Sequence, residues 1–96
     1  MGHALLEREP RLPGAELVEQ GLADLRAGVE SVESLLVSIG AHRLGALGLD
    51  VSDALAEPEE RLYLLLAREH GDEAHSRYNA LVRRLVSFER AAESAR

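Results

Sequence analysis

The chain has 96 residues, no Cys and a net charge of −6, with 17 acidic and 11 basic side chains, and its aromatic residues are two Tyr and one Phe. One small domain is expected, and the acidic balance with so few aromatic rings disfavours nucleic acid as a partner. No apolar run is long enough to span a bilayer, no pattern marks a cofactor, and the lack of Cys suits a reducing compartment, so a cytoplasmic protein is expected. Every basic residue is Arg, which is typical of a GC-rich, bacterial source.

The N-terminal half is predicted to be a leader followed by one long helix. Residues 1–12 show no clear period and are expected to form a flexible leader, in which Leu5 and Leu6 could still dock on another surface. Pro13 suits the first turn of a helix, and Gly48 resembles a left-handed cap at its end. The prediction is therefore a helix over 13–47, about 50 Å long, in which Gly40 offers an earlier stop or a kink.

A seam of apolar residues runs along this predicted helix. Its members alternate in steps of three and four, which keeps the stripe facing a neighbouring helix. They are Val18, Leu22, Leu25, Val29, Val32, Leu36 and Ile39. Gly14, Gly21 and Gly28 fall seven residues apart on the same helix, and interior Gly at one heptad position predicts the close approach of another backbone.

The C-terminal half is predicted to hold a connector and two further helices. Residues 49–57 are the connector, and the helices run over 58–70 and 73–95. Gly71 is the expected stop of the first, and Asp72 is the expected N-cap of the second. A second seam lies on the last helix at Ala74, Tyr78, Leu81, Leu85, Phe88 and Ala92.

The predicted architecture is all-α, with a single helical-bundle domain over 13–96. It is a long antiparallel hairpin of three helices, the last two either separate or near-continuous. Residues 62–66 are apolar around the whole helix axis, which indicates burial on more than one side. Apolar residues off the two seams add more apolar surface than one hairpin covers, namely Leu17, Leu35, Val37, Val82 and Val86. A homodimer that forms a multi-helix bundle is therefore expected. The predicted oligomer seam consists of Val18, Leu22, Leu25, Val29, Val32, Leu36, Ile39, Leu81, Leu85 and Phe88.

Basic residues line the predicted last helix beside its seam. Arg77 and Arg84 lie seven residues apart, with Tyr78 next to the first of them. These three are the predicted partner-binding residues, and the expected occupant of this strip is an acidic partner or RNA. The alternative is charge matching between packed helices, because helix one carries acidic residues beside its own seam.

Two further site hypotheses fall at the joint between the last two helices. Asp72 and His75 have the i, i+3 spacing of a carboxylate and an imidazole in bundle metal sites, with Glu73 beside them, so they are weak metal candidates. Arg68 and His75 are separated by six residues. This spacing resembles the short signature of the higher eukaryote and prokaryote nucleotide-binding (HEPN) superfamily, which consists of small all-helical domains that often dimerise. In RNA-cleaving members, the resemblance implies an Arg and His pair that acts without metal.

The sequence leaves three functional hypotheses open. The first is a non-enzymatic, self-associating helical bundle that acts through protein contacts, as an adaptor, an antitoxin-like protein or a regulatory subunit. The second is a HEPN-like domain of a two-gene module with Arg68 and His75 as its active pair, although Glu69 stands where active members usually place an uncharged polar residue or His. The third is a metal-binding bundle. No catalytic signature beyond the Arg68 and His75 spacing is present, so the first is favoured.

Overall fold

Helices account for every regular element in the computed structural model, which describes residues 3–95, with side chains described from residue 5 onward. The helices are α1 His3–Glu7, α2 Ala15–Arg26, α3 Val32–Ile39, α4 Ala41–Ala46, α5 Pro58–His70 and α6 Ala74–Ser94, with a 3-10 turn at Gly71–Glu73. The predicted all-α class is confirmed. Over the described residues, no helix combines the length and apolar character that a membrane crossing requires.

A tight corner divides the helix that was predicted over 13–47. Gly28 has a φ of 73°, and the N–H groups of Gly28 and Val29 donate back into the last turn of α2 at 3.1 and 2.8 Å. Ser31 then caps α3: its Oγ accepts from the Ser34 N–H at 3.0 Å, and the Ser34 Oγ accepts from the Ser31 N–H at 2.7 Å. The single long helix is therefore wrong, because α2 ends and α3 begins within five residues.

Glycines end the next helices at the predicted places. Gly48 has a φ of 96°, and the Leu49 N–H donates to the Leu44 carbonyl at 3.1 Å, with both leucine side chains buried. Gly40 separates α3 from α4, so the helix end that was predicted at Gly40 as an alternative is present in the structure. Gly71, with a φ of 57°, follows the last residue of α5.

The C-terminal helices follow the prediction closely. α5 covers the predicted range 58–70, and α6 begins and ends one residue inside the predicted range 73–95. Asp72 is the exception. It lies within the 3-10 turn, and no side chain caps the start of α6 by a hydrogen bond.

The core is centred on α3, which packs against α2, α5 and α6. Leu35, Leu36 and Val37 are fully buried, because other helices cover α3 on opposite sides. Most of the predicted oligomer seam lies inside this single-chain core. Val18, Leu22, Leu25, Leu36, Leu85 and Phe88 are buried, and Val32, Ile39 and Leu81 are partly buried. Val29 is the exception at 48% exposure, because the corner turns it away from the core.

The overall shape is shorter than the rod that a 50 Å helix would produce. The described residues span 38 × 24 × 18 Å, with a Cα radius of gyration of 12.9 Å. A compact domain of this length is expected to have a radius of gyration of about 12–13 Å. The corner between α2 and α3 folds the predicted long helix back on itself, and this accounts for the difference.

Two of the three heptad glycines lie where helices touch. A Cβ at Gly21 would lie 2.4 Å from the carbonyl oxygen of Glu33 and 2.6 Å from a methyl group of Val37, both on α3. A Cβ at Gly14 would lie 2.8 Å from the carbonyl oxygen of Arg84 on α6. The predicted close approach is therefore confirmed at these two positions. Gly28 serves instead as the left-handed residue of the corner.

The leader is folded over part of its length. Residues 3–7 form α1, which contacts α2, and Leu6 is buried in the core at 8% exposure. The leader therefore contains a helix that was not predicted, and the alternative in which Leu5 and Leu6 dock is the one that forms, because burial of apolar side chains holds this segment against the domain. Residues 1 and 2 lie outside the described part of the chain.

Candidate interaction surfaces

An exposed aromatic and apolar surface lies along α5 and α6. Tyr63 and Leu64 on α5 are 39% and 59% exposed, although they belong to residues 62–66, which are apolar around the whole helix axis. The Tyr63 ring contacts His75 edge-on at a centroid distance of 6.4 Å and Tyr78 at 5.8 Å with a tilt of 57°. We call Tyr63, Leu64, His75 and Tyr78 the tyrosine patch. It presents apolar groups to solvent on rigid helical supports.

Polar groups of the tyrosine patch are held by neighbours on the same hairpin. The Nδ2 of Asn79 lies 3.2 Å from the Nε2 of His75, one turn earlier on α6. Burial raises the pKa of the Tyr78 hydroxyl, and the negative charge of Glu59 on α5 raises it further. Tyr78 therefore stays protonated at neutral pH and retains its capacity to donate a hydrogen bond.

A groove of about 330 Å³ lies where α5 and α6 meet the first turn of α3. Its apolar lining comes from Val32, Leu66, Ala80 and Leu81, and its polar lining from Glu33, His70, Arg77 and Arg84. We call this feature the arginine groove. Of the predicted partner-binding residues, the structure brings Arg77 and Arg84 together here, whereas Tyr78 belongs to the tyrosine patch.

Both arginines of the groove already have a carboxylate neighbour. Arg77 donates to Glu73 at 3.1 Å, and Arg84 donates to Glu16 on α2. The predicted alternative of charge matching between helices therefore holds for Arg84, whereas the Arg77 pair is local to one turn. The two arginine side chains are 48% and 50% exposed, and ion pairs at such exposure contribute about 0–1 kcal/mol.

A third cluster joins α4 to the end of α6. The Glu89 carboxylate is buried at 3% exposure and accepts from Arg43 Nη1 at 3.2 Å. Arg43 also donates through Nε and Nη2 to Glu93, at 3.0 and 2.7 Å. Burial raises the pKa of Glu89, Arg43 opposes this effect, and Glu93 adds to it. A Cβ at Gly40 would lie 2.8 Å from Glu89 Oε2, so the backbone at the junction of α3 and α4 packs closely against this carboxylate.

The residues predicted for chemistry lie at the joint between α5 and α6. Arg68 is exposed in the last turn of α5, and His75 is exposed in the first turn of α6. The contacts of His75 are with Tyr63 and Asn79, and Arg68 makes no salt bridge within residues 3–95. Asp72 lies between them in the 3-10 turn, and no group of three His, Cys, Asp or Glu residues suited to a metal occurs in that described range.

Sequence reasoning did not identify several residues of these surfaces. The apolar run that holds Tyr63 and Leu64 was predicted to be buried on more than one side, but these two side chains are exposed in the single chain. The arginine groove depends on Val32 and Leu66 meeting α6, and no sequence spacing encodes that meeting. Glu89 follows Leu85 by one turn and so shares its inward face, which is a signal for a buried carboxylate.

Comparisons of the chain with protein-family models, with curated proteins and with solved structures found no significant match. The geometry of the three surfaces is therefore the basis for assigning a function.

Proposed function

We propose that the protein is a self-associating helical interaction protein whose two copies meet through the tyrosine patch. The observation that carries the proposal is the exposure of Tyr63 and Leu64, side by side on a helix whose other face is buried. Tyrosine and leucine side chains held on rigid helices give up little conformational entropy on binding. Burying them removes apolar surface from water, which is the main driving force of association.

The charges around the patch favour a second copy as its occupant. Glu60 precedes Leu64 by one helical turn on α5, and Glu59 is close enough to Tyr78 to raise its pKa. Arg83 follows Asn79 by one turn on α6 and makes no salt bridge within residues 3–95. In a two-fold dimer each surface meets its own copy, so acidic edges and basic edges from the two chains are available to pair.

The function of such a dimer is to hold other proteins through helical surfaces, as an adaptor or a regulatory subunit does. Most residues of the predicted seam are already buried within one chain, so the tyrosine patch replaces that seam as the contact between copies. The two patches would add apolar area outside an intact core. Each protomer would therefore remain folded when the dimer dissociates.

The test is the oligomeric state of the Leu64→Arg variant, measured by sedimentation velocity over a concentration series. Burying a Leu side chain contributes about 1.5–3 kcal/mol, and a two-fold interface contains it twice. We expect the wild-type protein to form dimers and the variant to weaken the dimer by at least about a hundredfold while its helical circular dichroism is unchanged.

The matched control is Val29→Arg. Val29 has comparable exposure, at 48%, but lies at the corner after α2. Its substitution should leave the dimer intact. A wild-type protein that remains monomeric, or equal effects of the two substitutions, would contradict the proposal.

A further inference from the structure

The apolar seam of the N-terminal half keeps its spacing across the corner between α2 and α3. Leu25, Val29 and Val32 continue the alternating steps of three and four, although residues 27–31 are not helical. A turn does not need this spacing, whereas a continuous helix does. Val29 makes no use of it in the single chain, where its side chain is 48% exposed. The segment is therefore compatible with two conformations, which are the corner and one helix over residues 15–39.

We propose that this corner is a hinge through which two copies of the chain exchange α2. When residues 27–31 become helical, α2 and α3 form one helix of about 25 residues, about 37 Å long, and α2 leaves its own α3. The vacated face of α3 then accepts α2 of a second copy, and two-fold symmetry makes the exchange mutual. The occupant is specified because the contacts between α2 and α3 are retained and only join two chains instead of one.

The packing of α2 on α3 fixes where the two copies would cross. A Cβ at Gly21 would lie 2.4 Å from the Glu33 carbonyl oxygen and 2.6 Å from a methyl group of Val37. Because the chain reverses at the corner, pairs of facing positions are centred on residues 27–29. In the exchanged dimer these central positions meet their own counterparts at the two-fold axis. Val29 of each copy would therefore be covered by Val29 of the other.

The contacts that close the corner exist only in the single chain. Gly28 has a φ of 73°, and Ser31 and Ser34 cap the start of α3 with reciprocal hydrogen bonds of 2.7 and 3.0 Å. A residue with a Cβ is disfavoured at that φ but is favoured over Gly within a helix. A Cβ at Gly28 would have no atom of the described residues within 4 Å, so substitution there acts through the backbone alone. Gly28 therefore sets the balance between the two conformations.

The exchange is independent of the tyrosine patch. The patch lies on α5 and α6, whereas the exchanged segment ends at Arg26. The proposal therefore goes beyond the proposed function and does not rest on it. Each measurement is made both in the wild-type background and in the Leu64→Arg background, which removes the patch contact. Failure of one proposal is thereby distinguishable from failure of the other.

The first test compares Gly28→Ala with the matched control Gly45→Ala, which also adds a methyl group in open space but lies within α4. Each full-length variant is refolded over a concentration series and studied by sedimentation velocity. We expect Gly28→Ala to raise the dimer association constant by at least about tenfold, since each dimer contains two hinges, and Gly45→Ala to change it by less than about twofold. Ser31→Ala, which removes the cap of α3, should act in the same direction as Gly28→Ala.

The second test identifies the exchange by a distance within one chain. The protein has no Cys, so Gln20→Cys and His42→Cys carry two spin labels at defined places on α2 and α4. Labelled Gly28→Ala protein is refolded with an excess of unlabelled protein, and double electron–electron resonance reports the separation. In the closed chain α2 lies alongside α3, so the labels are close. In the exchanged dimer the straight helix should separate them by at least about 25 Å.

The decisive variant within the hinge is Val29→Arg added to Gly28→Ala. It should weaken the exchanged dimer by at least about tenfold, because it brings two cations together at the two-fold axis. A folded Gly28→Ala protein that remains as monomeric as Gly45→Ala overturns the proposal. A dimer whose labels stay at the closed distance overturns it as well. If Gly28→Ala does not fold, the same two outcomes are read from Ser31→Ala.

Discussion

Gly21 and Gly45 provide a matched test of the helix packing, because the same substitution is expected to have opposite effects at the two positions. Each lies within a helix, Gly21 in α2 and Gly45 in α4. Replacing an interior helical Gly with Ala stabilises a helix by about 1 kcal/mol where nothing obstructs the new methyl group. A Cβ at Gly45 meets no atom within 4 Å, so Gly45→Ala should increase the free energy of unfolding by about 1 kcal/mol.

The added methyl group at Gly21 is obstructed on two sides. Its position is 2.4 Å from the carbonyl oxygen of Glu33 and 2.6 Å from a methyl group of Val37. Ordinary contacts between such atoms are about 3.5 Å, so α2 and α3 must separate by about 1 Å. Overpacking of this kind costs about 1–3 kcal/mol. Because the nearest atom is backbone, we take the upper part of that range, and the net loss for Gly21→Ala is about 1–2 kcal/mol after the helix gain.

Thermal unfolding followed by circular dichroism measures both effects. A change of 1 kcal/mol shifts Tm by about 4–8 °C in a domain of this size. We expect Gly45→Ala to raise Tm by up to about 8 °C and Gly21→Ala to lower it by about 4–16 °C. If the high glycine content reflected composition alone, both variants would be stabilised. A Tm for Gly21→Ala at or above that of the wild-type protein would refute the close packing of α2 against α3.

Two further predictions concern buried and exposed positions. Leu85→Asp places a carboxylate in the core at a side chain that is 3% exposed, and should abolish the cooperative unfolding transition, whereas Val29→Asp at the exposed corner should change stability by less than about 0.5 kcal/mol. Similar behaviour of the two variants in urea titrations would contradict the core assignment. The raised pKa of Glu89 means that this carboxyl binds a proton more tightly in the folded state than in the unfolded state, where its pKa is near 4.5. Its contribution to stability therefore falls as pH rises from about 4.5 through the folded-state pKa. The stability of the wild-type protein relative to Glu89→Gln should decline over that window, and a flat or rising difference would contradict burial as the dominant cause.

The helices of the C-terminal half were predictable because local signals and tertiary packing agree there. Pro58 and Gly71 mark the ends of α5, and the spacing of Leu81, Leu85 and Phe88 places α6 against the core. Each signal acts within one or two turns of the chain. Such local signals can be identified in the sequence because they do not depend on how distant parts of the chain pack.

The N-terminal half was mispredicted because periodicity does not distinguish one helix from two. α2 and α3 both face the same core, so their apolar residues keep the same step of three and four across the corner. The signals for the break were present, in Gly28 and in the pair Ser31 and Ser34. The glycine was instead assigned to a packing stripe. Its left-handed conformation shows that the stripe ends at Gly21.

The candidate surfaces were only partly predictable. Arg77 and Arg84 were identified from their spacing on one helix. The groove itself needs the start of α3 to lie against the end of α5, and that arrangement follows from the corner that was missed. Tyr63 and Leu64 are exposed for a related reason, since the compact fold buries the opposite face of α5 and leaves these two outward.

The corner between α2 and α3 also bears on the order in which the chain assembles during synthesis. Its capping contacts join residues close together in sequence, so closing this hairpin costs little chain entropy. The contact of Gly14 with Arg84, by contrast, spans most of the polypeptide. A nascent chain leaving the ribosome is therefore expected to form the hairpin of α2 and α3 first. Its apolar face would remain accessible to chaperones until α6 is synthesised and covers it.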